Sequence, residues 1–147
     1  ENISSTSQKF SDDSYYMDRN KLIFETSRGE TIGLIYSDDN GVNWNNSTIT
    51  DTNGYIVYMK FFDKNNGIAM ICYGNEIGQR EHLRASITLD GGKTWTTQKE
   101  ENSSIRINRG AKIEFSSMEE GKIENISYDG SKTVYITQDA GKTWEEE

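Results

Sequence analysis

The side chains best equipped for chemistry crowd into one stretch of the 147-residue chain: Gly74-Asn75-Glu76-Ile77-Gly78-Gln79-Arg80-Glu81-His82-Leu83-Arg84. It holds the only histidine, two of the six arginines and two glutamates, and it reads as a long loop between two strand-like runs. The planar fork of donors on arginine suits bidentate recognition of a carboxylate. Glu76, Arg80, Glu81, His82 and Arg84, joined by Arg28 from a short loop upstream, are therefore the candidate ligand- or partner-binding residues. Loops carried on rigid strands are where such residues gather; the alternative is a solvated charged loop closed by its own salt bridges. Other chemistries are poorly supplied. One histidine and one cysteine cannot make a zinc constellation, and neither a metal nor a cofactor is expected. Cys72 lies in the apolar run Ile68-Ala69-Met70-Ile71-Cys72-Tyr73 and reads as a small core residue, not an activated thiol. Asp63-Lys64-Asn65-Asn66-Gly67 begins like a calcium loop but lacks the later acidic ligands, so it reads as a hairpin turn.

The elements that must position these residues follow from a threefold repeat. Ser37-Asp38-Asp39-Asn40-Gly41-Val42-Asn43-Trp44, Thr88-Leu89-Asp90-Gly91-Gly92-Lys93-Thr94-Trp95 and Thr137-Gln138-Asp139-Ala140-Gly141-Lys142-Thr143-Trp144 share a hydroxyl, an Asp, a Gly and a closing Trp. All three tryptophans end a copy, Trp44, Trp95 and Trp144 being 51 and 49 residues apart. In each copy the Asp can accept backbone N–H bonds from about two residues on, as in an Asx turn. The Gly supplies a positive φ, the hydroxyl caps the same turn, and the Trp folds its apolar face over it. Ser37, Asp39, Gly41, Trp44, Thr88, Asp90, Gly92, Trp95, Thr137, Asp139, Gly141 and Trp144 are thus expected to be structural. Two or three short runs rich in β-branched and aromatic residues precede each copy, separated by Gly, Asn and Asp, and no window keeps a helical period. The fold class is all-β and antiparallel.

The three copies resemble the Asp-box of the BNR-repeat family, found in sialidases, sortilin-type receptors and photosystem assembly factors. The resemblance implies that each box is the turn between the third and fourth strands of a β-propeller blade, with blades at about residues 10–50, 55–99 and 105–147 of a single domain. Ligands would then meet the opposite side, where the loops between second and third strands emerge. Three blades are fewer than the roughly 4–8 of closed propellers. Two copies sharing a six-bladed ring, a longer protein, or blades that stack without closing would each resolve this. After Trp144 only Glu145-Glu146-Glu147 remain, so the third blade is expected to lack its outer strand unless residues near Gln8-Lys9-Phe10 supply it. Sialidases hold a substrate carboxylate with three arginines, the first in a Phe/Tyr-Arg-Ile-Pro motif, beside a Tyr nucleophile and its Glu partner. This chain has no proline, and its nearest segment is Ile105-Arg106-Ile107. The expectation is a non-catalytic module that binds a protein or a glycan, with a sialidase-like hydrolase fragment or a purely structural propeller segment as alternatives.

A formal charge of -8 sets the chain against nucleic acid and anionic membranes, and against anionic partners unless its basic residues cluster. No run approaches the roughly 20 apolar residues of a membrane-spanning helix, so no membrane insertion is expected. The polar, Ser-rich Glu1–Gln8 stretch reads as a tether left after a signal sequence or lipid anchor, which places the module outside the cell or on its surface.

Overall fold

The computed structural model describes residues 15–73, 81–99, 105–108 and 110–147, and all regular structure among them is antiparallel β. Strands β1 (Tyr15–Asp18), β2 (Lys21–Arg28), β3 (Ile32–Ser37) and β4 (Asn45–Ile49) form a first meander. A middle sheet runs through β5 (Tyr55–Phe61), β6 (Gly67–Tyr73), β7 (Glu81–Thr88) and β8 (Thr96–Thr97), with β9 (Arg106–Ile107) also paired to β7. The third sheet comprises β10 (Lys112–Phe115), β11 (Gly121–Ile126), β12 (Lys132–Thr137) and β13 (Glu145–Glu146). Three expectations need correction. Glu81 to Arg84 are strand, not loop, because Tyr73 pairs with His82 and Cys72 with Leu83, which buries Leu83. Residues 106–107 join the middle sheet, not the third. The last residues do supply the third sheet's outer strand, with Ile136 opposite Glu145 and the Glu147 N–H donating to Val134 O at 2.8 Å. The segment invoked for that role, around residues 8–10, lies outside the described residues.

The sheets are layered, and the alternation of side chains decides how. In the first, Tyr16, Ile23, Ile32 and Leu34 point one way and pack against Met59, Phe61, Ile71 and Trp95 of the middle sheet. The other face of the middle sheet presents Tyr58, Ile68, Met70, Cys72 and Leu83 to Ile113, Phe115 and Ile123 of the third. Strand β6 is therefore buried on both faces and reads as a continuous apolar run. The two junctions are stitched alike. The phenol of Tyr16 accepts the Phe61 N–H at 3.2 Å, and that of Tyr58 accepts the Phe115 N–H at 3.0 Å. Burial pushes the Tyr16 phenol well above its usual range, so it stays a neutral hydroxyl and donates to Asp18 Oδ2.

Each Gly–Trp turn is built by the same bonds. The hydroxyls of Ser37, Thr88 and Thr137 donate to Oδ1 of Asp39, Asp90 and Asp139, and accept the N–H of Gly41, Gly92 and Gly141 at 2.8–2.9 Å. Each Asp Oδ1 accepts the backbone N–H four residues on, from Asn43, Thr94 and Thr143, rather than two residues on as the Asx-turn reading had it. The side chains of those same residues donate to Oδ2 at 2.6 Å, so the amide of Asn43 does the work of the two threonine hydroxyls. The turn next reaches the neighbouring hairpin of its own sheet: the N–H groups of Asn40, Gly91 and Ala140 donate to Asn20 O, Asn65 O and Glu119 O. Turns between first and second and between third and fourth strands thus share one side, leaving the opposite side for β2–β3, β6–β7 and β11–β12.

Two consequences can be measured. The donor residue in that last bond has positive φ in every copy, and in the third it is Ala140 at 60°. A Cβ there costs about 1 kcal/mol, so Ala140→Gly is expected to raise the unfolding free energy measured in urea by that amount; an unchanged value would remove the strain from the account. The second concerns acid. The Asn43 N–H and amide hold the Asp39 carboxyl below the usual carboxylate range. For Asp90 and Asp139 burial alone would raise it, but the bonds from Thr94 and Thr88, and from Thr143 and Thr137, outweigh burial and hold both carboxyls low. A folded pKa below the unfolded value gives stability that is present above about pH 4 and is lost as pH falls through the folded value. Asp18, raised chiefly by burial, works in the opposite sense. With five lowered turn carboxyls against it, Asp63 and Asp129 being held low by their own turn bonds as well, net stability is expected to fall below about pH 4. Urea melts of Asp90→Asn should show a shallower loss than wild type; an equal loss would place the acid sensitivity elsewhere.

Candidate functional site

The side of the sheets away from the Gly–Trp turns brings together aromatic and basic residues. Tyr73 ends β6, His82 lies opposite it on β7, and Arg106 lies opposite His82 on β9, so the three form a row across the middle sheet. The Tyr73 and His82 rings stack at 5.3 Å between centroids, and the Arg84 guanidinium sits 4.1 Å above the Tyr73 ring. Arg84 also donates to Asp51 O at 3.4 Å, in the link between the first two sheets. Nearby, the Arg28 guanidinium lies 5.2 Å from the Tyr55 ring and pairs through Nε with Glu25 Oε1. Glu25 in turn accepts the Ile56 N–H at 3.3 Å, so the pair is tied to the start of β5.

Gly54 sets the two aromatic–arginine pairs at one end of the sheet. Its φ is +106°, and a Cβ built on it would lie 1.9 Å from Cys72 O and 3.1 Å from Tyr73 Cα. Only a residue without a side chain lets the chain entering β5 lie against the end of β6. Tyr55, opposite Cys72, and Tyr73 then both reach the same edge.

Among the sequence-based candidates, His82 and Arg84 come together here, while Arg28 sits on its own tyrosine. Glu81 pairs along the backbone with Ile107. Glu76 and Arg80 lie outside the described residues. Tyr55 and Tyr73 read from the sequence as packing residues, and Arg106 entered only as a poor match to a sialidase motif. The placement of Arg106 depends on β9, two residues long, which no periodicity could reveal. Arg84 and Arg106 lie on the Tyr73–His82 row, and Arg28, paired with Glu25, lies at the same end of the sheets. Guanidinium groups backed by aromatic rings are held in orientation, and their planar geometry matches that of a carboxylate. Among the described residues no group of three His, Cys, Asp or Glu could hold a metal ion, and no helix is long and apolar enough to cross a membrane. Comparison with protein-family models, curated proteins and solved structures finds no match to this chain.

Proposed function

We propose that the chain is a binding module and not an enzyme, made of three BNR-type blades whose Asp-box turns brace one side while the other side holds an acidic segment of a protein partner. It would act outside the cell or at its surface. The observation that carries this reading is the Tyr73–His82–Arg106 row with Arg84 stacked on Tyr73. The blade reading draws support from the three identically bonded turns, each at the end of a four-stranded meander. An acidic peptide is favoured over a neutral glycan because the aromatic rings here are covered by cations instead of lying open for a sugar ring. Charge-assisted hydrogen bonds contribute about 1.5–3 kcal/mol each. Arg84→Ala and Arg106→Ala are therefore each expected to weaken binding of a fluorescein-labelled glutamate-rich peptide by about tenfold or more in an anisotropy titration. Unchanged affinity in both variants, with melting temperatures intact, sinks the reading. Displacement of the peptide by sialyllactose at lower concentration than by unlabelled peptide would turn it towards acidic glycans.

A further inference from the structure

The two ends of the three-sheet stack differ in kind. Measured from the Phe–Gly pairs Phe61–Gly67 and Phe115–Gly121, Lys112, Lys122 and Glu124 of the third sheet occupy the places that Tyr58, Ile68 and Met70 hold in the middle sheet. Where the middle sheet sets Tyr58, Ile68 and Met70, the first two strands of the third set opposite charges, with Lys112 opposite Glu124, Glu114 opposite Lys122, and Lys132 at 3.4 Å from Glu124, beside Val134 and Ile136 of β12. Over it lies only an open depression of about 500 Å³. This end is finished with charge, as terminal repeats are.

The first sheet ends the stack differently. Among the described residues its outer face is formed by Tyr15, Met17, Leu22, Phe24, Ile35 and Trp44, with the uncharged Asn46 and Thr48 beside them on β4. The Phe24 ring lies 6.3 Å from Tyr15 and 5.7 Å from Trp44, tilted at 36° and 47°, so the rings make one continuous apolar surface and not a coplanar stacking platform. Among the described residues of these strands, no charged side chain belongs to this face. The corresponding face of the middle sheet is covered: Trp95 is 7% exposed, whereas Trp44 is 42% and Phe24 37% exposed.

We propose that a second copy of this chain covers the Phe24–Trp44 face, the two first sheets packing against each other about a twofold axis. Among the described surfaces, the face itself is the one that matches it. The charge ladder at the other end would bury Lys122 and Glu124 against aromatic rings, at a desolvation cost that blocks head-to-tail stacking and a six-bladed ring closed by two copies. Two uncharged faces meet without like-charge contact even though each chain carries a net charge of -8. One such face per chain closes the assembly at two. The pairing is independent of what the arginine row binds.

Sedimentation equilibrium on the 147-residue chain tests it, alongside Phe24→Glu, the milder Asn46→Glu (exposed, opposite Ile35) and Lys122→Glu. The expected result is a wild-type dimer, a dissociation constant raised by about a hundredfold or more in Phe24→Glu and Asn46→Glu, and no change in Lys122→Glu. Circular dichroism checks that each variant is folded, and Asn46→Glu decides the matter if Phe24→Glu is not. A monomeric wild type at its solubility limit overturns the proposal. So does a dimer indifferent to the first-sheet variants, one dissolved by Lys122→Glu, or growth to ever larger species.

Discussion

Gly54→Ala is expected to remove more than about 4 kcal/mol of folding stability, most of what a domain of this size has to lose. The added Cβ would stand 1.9 Å from Cys72 O and 2.9 Å from Cys72 C, well inside contact distance. Neither side can retreat. Cys72 is fixed by its partners Tyr55 and Leu83 in the middle of a sheet whose two faces are both covered. Gly54 is committed to φ +106°, which a residue with a side chain resists even in open space. Gly130→Ala isolates that second contribution, since its φ is +85° and nothing lies within 4 Å of the would-be Cβ; about 1 kcal/mol is expected. Thermal and urea melts of both variants give the comparison, and a Gly54→Ala protein no worse than Gly130→Ala would refute the close approach. Any Gly54→Ala protein that does fold should also have lost affinity at the arginine row, because the Cys72 carbonyl that its Cβ displaces leads directly into Tyr73.

Trp95→Ala is expected to cost about 3–5 kcal/mol, the range for deleting a large aromatic from a core. Trp95 is 7% exposed at the junction of the first two sheets, edge-on to Phe61 at 6.1 Å, and its Nε1 donates to Gly92 O at 3.1 Å. Lys21 adds to the same junction: its Nζ lies 4.3 Å over the Phe61 ring and donates to Gly91 O at 2.6 Å. Trp44 makes the same indole bond, to Gly41 O at 3.0 Å, but is 42% exposed. Trp44→Ala should cost about 1 kcal/mol in dilute solution and more at concentrations where chains pair through that face. Equal losses from the two substitutions would show that the turn, and not the junction between sheets, is what the indole stabilises.

Much of the architecture was legible before any coordinates. The Ser/Thr-x-Asp-x-Gly-x-x-Trp spacing located the three turns, and β-branched runs such as Thr31–Tyr36 and Ile68–Tyr73 located strands, because both are set by local backbone chemistry. What escaped was decided at a distance. Asn40, Gly91 and Ala140 share a positive φ although their identities differ, since a backbone bond to the neighbouring hairpin imposes it. Strands β8, β9 and β13 are two residues each, too short to carry a period, and exist only because β7 or β12 offers an edge. The site was half visible for the same reason. His82 and Arg84 stood out by charge, but Arg106 reached them through a pairing no local pattern encodes, and the tyrosines beneath looked like any strand aromatic.

The position of Cys72 has a practical corollary. Its thiol is 1% exposed, between the middle and third sheets, and it is the chain's only sulfhydryl. Alkylation must wait until those sheets part, so the rate of labelling by a small maleimide reports the opening equilibrium of that one junction. The first junction, held by Tyr16 and Trp95, contains no thiol and stays silent. The chain thus comes with a kinetic reporter that can tell whether the stack loosens from its charged end first or comes apart all at once.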